Sequence, residues 1–410
     1  MFLRTYSRQL AVLILLSALA ALVVGCGSSG SSSSSESGES STTAESSSAS
    51  ETESSSASTD AAAFLKHAEK RTAEAFEGTG SEPPTTGPKP EPGKSVWIIP
   101  CAEVNEGCAT PAAGVKEAAE EIGWKATIFD GKFDPSQFAA GINQAVAAHA
   151  SAIVLVAIDC RAVKGALENA KKANVIVVGI YSYDCSDSLS GGNPNETYFT
   201  GTVQYEGSQI EHYEEYGALR ADMIIAETHG EAKVINISNN EFLNVAYVDK
   251  GFVEEMEKCS GCEIVETVEL TGQDFTGNTI QTKVAAAIQR NPEANAVKIA
   301  YDGVALLGAA AAIAESGRKD EIYSQGGEGF PDVLKLLEEE AGITSELGIP
   351  ARWIGWAAID TVNRLLHGEE PVDSGAGFQA IDKRNIAEYP DGYEGNVDYK
   401  AAYRKAWGLG

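Results

Sequence analysis

Between residues 94 and 345, short apolar runs alternate with stretches whose apolar residues recur at helical spacing. The runs are Val96 to Pro100, Thr127 to Phe129, Ala152 to Ile158 and Val175 to Ile180. Past a crossing strand at Tyr198 to Val203 come Lys233 to Ser238, Ile264 to Leu270, Ala296 to Ala300 and Ile322 to Gln325. Helices are expected near 112–122, 135–149, 161–173, 205–227, 243–258, 276–290, 303–316 and 331–340, with another at about 351–367. Strands that are apolar almost throughout bury both faces, which requires a parallel sheet with helices on either side. The rhythm runs through twice, so the pattern predicts an α/β chain of two similar doubly wound parallel-sheet lobes. Such sheets bind ligands beyond the carboxyl ends of their strands, and two facing lobes make an interlobe cleft there.

Upstream the pattern changes. Residues 61–77 read as a short helix through Ala63, Phe64, Leu65, Ala68, Ala75 and Phe76, and Pro83, Pro84, Pro88, Pro90 and Pro92 then make an extended linker to Gly93. Residues 26–60 are nearly all Ser, Glu, Thr, Ala and Gly, with no aromatic side chain, so they cannot form a core and should act as a flexible tether. Residues 1–25 place Arg4 and Arg8 before an apolar run from Leu10 to Val24. That run is short of the ~20 residues a permanent membrane helix needs, and its flanks suit a signal peptide. Val23-Val24-Gly25-Cys26 resembles the bacterial lipobox, which implies cleavage before Cys26 and lipid attachment to it. The expected location is the cell envelope, on the outer face of the cytoplasmic membrane.

The formal charge of −28 argues against nucleic acid, whose binders neutralise phosphates with Lys and Arg, and suits solubility outside the cell. With Cys26 assigned to lipid, six of the seven cysteines remain, in a chain bound for an oxidising compartment. Six thiols allow fifteen pairings. Proximity favours Cys101 with Cys108 and Cys259 with Cys262, leaving Cys160 with Cys185 after two neighbouring strands. Cys259-Ser260-Gly261-Cys262 has redox or zinc spacing, but it closes a helix and precedes a strand, and zinc wants four ligands. No catalytic residue, metal or cofactor is expected: Gly-x-Ser-x-Gly, a phosphate loop and His-Glu-x-x-His are all missing from the sequence, and the five histidines fall in helices or at their ends, where a surface role is usual.

Several motifs resemble those of type I periplasmic binding proteins of the ribose-binder-like group, over roughly residues 94–410. Lys94-Ser95-Val96-Trp97-Ile98-Ile99 resembles the first strand, and Gly131 to Asn143 the stretch between second strand and second helix. Lys250-Gly251-Phe252 matches the Gly-Phe that opens the helix after the second lobe's first strand. The segment from Tyr301-Asp302-Gly303 to Gly308-Ala309 resembles Asn-Asp-x-x-Ala-x-Gly-Ala, and Gly326 to Pro331 resembles Gly-Phe-Asp-Gly-x-Pro. The Lys258 to Cys262 turn and the Gly355-Trp356 to Asn363-Arg364 helix resemble a subgroup of ABC-transporter substrate-binding lipoproteins.

The resemblance implies a monomer whose lobes, 94–202 with about 350–375 and 203–349 with about 376–410, close by a hinge on a small polar solute, sugar or sugar-like. The complex would then dock on an ABC permease and its ATPase. A sensory lipoprotein reporting to a membrane receptor is the alternative. By motif, Asp302 and Glu328 take acidic site positions, with Tyr301 in place of the family's Asn; Tyr181 stands where sugar binders have Asp. Val248 stands where they have Arg, which speaks against an ordinary hexose or pentose. Strand-end position adds Glu103, Asn105, Asp159, Asp184, Asn240 and Phe242. Such a cleft is acidic and aromatic, so a cationic or amine-bearing solute rivals a sugar. Asp302 is also placed to cap the helix starting near Gly303.

Overall fold

The computed structural model describes residues 50–409. The expected signal peptide, the expected lipid-bearing Cys26 and most of the expected tether fall outside the described residues. No described helix is long and apolar enough to cross a membrane. Helix α1 (Ser50–Glu77) begins earlier than the sequence pattern suggests, inside the stretch assigned to the tether. No Gly or Pro interrupts it, and Gly78, at φ +89°, ends it.

The first lobe is built from β1 (Ser95–Pro100), α2 (Glu106–Glu121), β2 (Lys125–Ile128), α3 (Pro135–Ala147), β3 (Ala152–Val156), α4 (Cys160–Lys172), β4 (Ile176–Ile180) and β5 (Gly201–Thr202). Its strands are parallel, in the order β2-β1-β3-β4-β5. Every residue of β3 is buried, which is why that run shows no polar alternation. The second lobe follows with α5 (Gln209–Glu227), β6 (Lys233–Ser238), α6 (Leu243–Met256), β7 (Glu263–Glu269), α7 (Thr279–Arg290) and β8 (Ala296–Lys298). Next come α8 (Asp302–Val304), a π-turn over Ala305–Ala309, α9 (Ala310–Glu315), β9 (Tyr323–Gln325), α10 (Pro331–Glu338) and β10 (Glu346–Gly348). Its parallel order is β7-β6-β8-β9. The single helix expected over 303–316 is broken by the π-turn, where Gly308 sits at φ +132°.

Helix α11 (Ala351–Leu366) returns to pack on α2. The chain then crosses again to β11 (Gln379–Ile381), antiparallel to β10. These two strands have three residues each, too short for periodicity to reveal. Helix α12 (Tyr399–Ala406) corrects the assignment of 376–410 to the second lobe, because it lies on the first. Tyr399, Tyr403 and Trp407 form one face at four-residue spacing. Tyr399 stacks on Trp353 at 5.6 Å, and Trp407 stacks on Trp356 at 5.6 Å while donating to Asp360 at 2.8 Å. Lys400 and Arg404 pair with Glu117 and Glu121 of α2.

Residues 61–93, expected as helix plus linker, are a strap laid along both lobes. On the second lobe, Ala68 is fully buried and Arg71 bonds Asp222 of α5 at 2.5 Å. Near the crossing, Thr79 and Ser81 donate to the Phe378 and Gly375 carbonyls. On the first lobe, Asn363 and Arg364 of α11 donate to the Pro88 and Thr86 carbonyls, and Trp124 donates to that of Glu91. Disulfides join Cys101 to Cys108, Cys160 to Cys185 and Cys259 to Cys262. The 25-residue span of the second closes the longest loop, worth about 3–4 kcal/mol by chain entropy.

Candidate ligand-binding cleft

Helices α5 and α6 cross at two glycines. A Cβ on Gly217 would lie 1.9 Å from the Val248 carbonyl oxygen, and one on Gly251 the same distance from that of Glu214. No other residue permits such backbone approach. The crossing sets Tyr213 and Tyr216 of α5 with Val245 and Val248 of α6 around one cavity of about 60 Å³. Strand ends supply most of the remaining wall: Asn105 after β1, Ala157 after β3, Tyr181 after β4, Phe242 and Asn244 after β6, Tyr301 after β8, and Glu328 after β9. The cavity therefore sits at the carboxyl ends of both parallel sheets. Four lining residues hold positive φ without being glycine: Phe133 (+53°), Ala157 (+52°), Tyr181 (+54°) and Glu328 (+132°). Backbone strain of this kind gathers at ligand sites.

The lobes are bonded to each other beside the cavity. Asp159, after β3, accepts from the Leu243 amide at the start of α6 (3.2 Å) and from the Tyr183 amide (3.0 Å), and burial pushes its carboxyl up to about 6. Arg161 donates to the Glu241 carbonyl at 2.8 Å, and the Tyr247 hydroxyl to Asp187 at 2.6 Å. These contacts join first-lobe loops to the start of α6, so the cleft is closed.

Behind Glu328 lies a buried charge cluster. Arg220 of α5 is fully buried and donates to the carbonyls of Ile299 (2.5 Å), Ala300 (3.1 Å), Gln325 (3.3 Å) and Gly326 (3.1 Å), and to the Gln325 side chain (3.0 Å). It thereby ties together the ends of β8 and β9. Three carboxyls surround it: Asp302, Glu328 and Glu346. Burial raises all three, Asp302 to about 7 and the two glutamates well above the usual carboxylate range. Asp302 accepts from the Gly327 and Phe330 amides at 3.1 and 2.8 Å, and its own amide donates to Glu328 at 3.2 Å. Neither Glu346 oxygen meets a donor, so a proton held there is the economical solution, with its hydroxyl turned to Asp302. Gly326 leaves the room: a Cβ there would lie 1.7 Å from Glu346 Oε1.

The model of the periplasmic binding protein domain matches residues 96–370. The chain belongs to this periplasmic binding protein family. It is a binding protein, not an enzyme, and the family works outside the cytoplasm. Solved structures similar to it include a galactofuranose binding protein (19% identity, 72% of this chain and 97% of that one, TM-score 0.59). A solute binding protein of an ABC transporter from Burkholderia graminis C4D1M, in complex with D-arabinose, matches at 19% identity, 73% and 98% coverage and TM-score 0.60. Another from Bacillus halodurans C-125, with bound myo-inositol, matches at 16% identity, the same coverage and TM-score 0.60. No curated protein sequence matches the chain.

Of the residues expected at this binding protein's site, the cavity gathers Asn105, Tyr181, Phe242, Tyr301 and Glu328. The other five lie elsewhere. Glu103 is exposed, with its amide on Asp130. Asn240 is exposed and bonded to Glu269. Asp159 makes the interlobe bond described above. Asp184 is spent on the amides of Cys185, Tyr198 and Phe199. Asp302, expected as the cap of its own helix, instead accepts from the loop that begins α10. His212 departs from the surface role expected of the histidines: it stacks on Tyr205 at 3.8 Å, and burial pushes its ring down to about 3. The strand-end rule missed Tyr213, Tyr216 and Arg220. Their signal was available: the three share a helix face, with a charge set among aromatics.

Glu346→Gln is expected to stabilise the protein. A carboxyl whose folded pKa is raised contributes stability at low pH and loses it as pH rises, so the variant's advantage should be near zero at pH 5 and grow towards pH 8. Its neighbours Asp302, Glu328 and Arg220 are unchanged. The advantage grows by up to about 1.4 kcal/mol for each pH unit over which the folded carboxyl stays protonated, read as a Tm difference that widens from pH 5 to pH 8. A lower Tm at pH 8 would show that Glu346 is held ionised.

Proposed function

We propose that this protein is the extracytoplasmic solute-binding lipoprotein of an ABC importer, capturing a small polar solute by closure of its two lobes. The observation that carries this reading is a cavity at the carboxyl ends of both sheets, walled by both lobes and flanked by cross-lobe bonds from Asp159, Arg161 and Tyr247. Family membership supports it, as do similar structures solved with D-arabinose and with myo-inositol, so sugars and polyols belong among the solutes tested. The lipobox-like Val23 to Cys26 supports membrane anchoring, with the Ser-rich segment and the strap between lipid and lobes. Acting as a monomer, the closed form would present both lobes to a permease.

The test is a thermal-shift screen of the mature chain carrying Cys26→Ser, against sugars, polyols, amines and nucleosides. A true ligand at 100 times its Kd adds about 2.7 kcal/mol and raises Tm by several degrees. Absence of any shift across the panel would overturn solute capture. The strap bonds to both lobes, so the protein tested should keep residues 61–93.

A further inference from the structure

We infer that the cleft takes a small organic cation, a protonated or quaternary amine, paired with the Glu328 carboxylate inside a ring of aromatic side chains. This rests on the solute-capture reading and narrows its ligand.

The charge balance is the first argument. Glu328 lines the cavity, whereas among the described residues no Lys, Arg or His does. The groups facing Glu328 are Asp302, Glu346 and Glu106, the hydroxyls of Tyr181, Tyr216 and Tyr301, and one cation, Arg220. The Arg220 donors are committed to the ends of β8 and β9. With Glu346 holding its proton, Asp302, Glu328 and Glu106 thus share one guanidinium that points its hydrogen bonds elsewhere. Burial also raises Glu106, one of whose oxygens is buried without a partner. A positive ligand supplies the charge this pocket lacks.

Hydrogen-bonding capacity is the second. A sugar carries an oxygen on every carbon, and each hydroxyl left unpaired in a closed site weakens binding. Here the Tyr213 hydroxyl is bonded to Tyr205, that of Tyr216 to the Leu347 carbonyl and that of Tyr301 to Asn239. Asn105, Asn244, Glu328 and Tyr181 remain, among Val245, Val248, Ile349 and Ala157. Six aromatic rings, Phe133, Tyr181, Tyr213, Tyr216, Phe242 and Tyr301, complete the wall, a lining that attracts cations and tolerates their methyl groups. The cavity, about 60 Å³, admits only a compact solute.

Pairing with a cation requires ionised Glu328, so binding should release a proton wherever the empty pocket keeps that carboxyl protonated. Affinity then rises with pH, up to about tenfold per unit, until the carboxyl is ionised without ligand. The experiment is calorimetric titration of the mature Cys26→Ser chain with methylammonium, putrescine and choline, each beside a neutral isostere (3,3-dimethyl-1-butanol for choline), and with D-arabinose and myo-inositol. At least one amine should bind about 100-fold more tightly than its isostere, with proton release seen as a dependence of heat on buffer. Glu328→Gln should lose that preference while keeping or raising Tm. Binding of polyols alone, or equal binding of amine and isostere, would overturn the cation assignment and leave solute capture standing. If neither amines nor polyols bind, and the wider thermal-shift panel is also silent, both fall.

Discussion

Arg220→Met should cost about 3–5 kcal/mol or more, the usual result of removing one partner from a buried charge network. The side chain is fully buried and satisfies four backbone carbonyls and an amide oxygen. Methionine fills similar space but takes the Arg220 donors from all of those acceptors, of which the Gln325 carbonyl alone is also bonded by a backbone amide, that of Ile299. Each buried acceptor left unpaired costs about 1–3 kcal/mol. The substitution also removes the counter-charge beside Asp302 and Glu328, which must then take up any proton they lack, while Glu346 keeps its own. Against a total stability of about 5–15 kcal/mol, the second lobe is then marginal. Arg220→Lys separates the two contributions: it keeps the charge and loses the planar fork, so it should fall between native and Met. Urea unfolding of both variants, with hydrogen exchange read at Ile299 to Tyr301 and Gln325 to Glu328, measures this. A loss under about 1 kcal/mol for Arg220→Met would mean that the strand ends are held by something else.

Arg220 also shows where the sequence stops being readable. Wherever burial comes from uniform apolar character, as in Ala152 to Val156, the strand and its partners follow from hydrophobic pattern alone. The same holds for most of the helices between, although α2 starts at Glu106, well before the expected 112, and the helix expected over 303–316 is broken at Gly308. A buried charge reads as its opposite. Arg220, Asp249 and Lys298 lie where a pattern rule expects solvent, and only three-dimensional partners make them tolerable. The strap was invisible for a different reason. An extended Pro-rich segment has no periodicity, and its attachment uses backbone groups such as the Thr79 and Ser81 amides.

The site divides along the same line. Position at a strand end located Asn105 and Phe242, and the family motifs located Tyr181, Tyr301 and Glu328, because topology carries strand ends to the cleft. Topology does not say what a carboxylate there will accept from. Asp159, Asp184 and Asp302 all stand near strand ends, and each has turned to backbone amides in loops that no strand or helix ladder satisfies. Tyr213 and Tyr216 reach the cavity from a helix flank, through the Gly217–Gly251 crossing, which a strand-end argument does not consider.

Asp249 and Lys298 supply the second large effect, and its sign depends on which partner is removed. Lys298, at the end of β8, is fully buried and donates to Asp249 of α6 at 2.7 Å; Asn236 donates to the same oxygen at 3.0 Å. Burial alone would raise Asp249, but Lys298 and its other donors hold it below the usual range; burial lowers Lys298, with Asp249 opposing. Asp249→Asn should destabilise by up to about 4–5 kcal/mol at pH 7, since the lysine can escape its buried charge only by deprotonating about three units below its free pKa. Lys298→Met should cost up to about 4 kcal/mol, as the orphaned aspartate must take a proton instead. The pH trends then oppose each other. In the Asp249→Asn variant the lysine's folded pKa is depressed, so stability recovers as pH rises; in the Lys298→Met variant the aspartate's is raised, so stability recovers as pH falls. Asp249→Asn with Lys298→Met removes both charges and leaves an amide for Asn236, so the double variant should be more stable than the sum of the single losses allows. Denaturation of all three at pH 5, 7 and 9 decides it: parallel pH profiles for the two single variants would mean that the pair is not ionised in the folded protein.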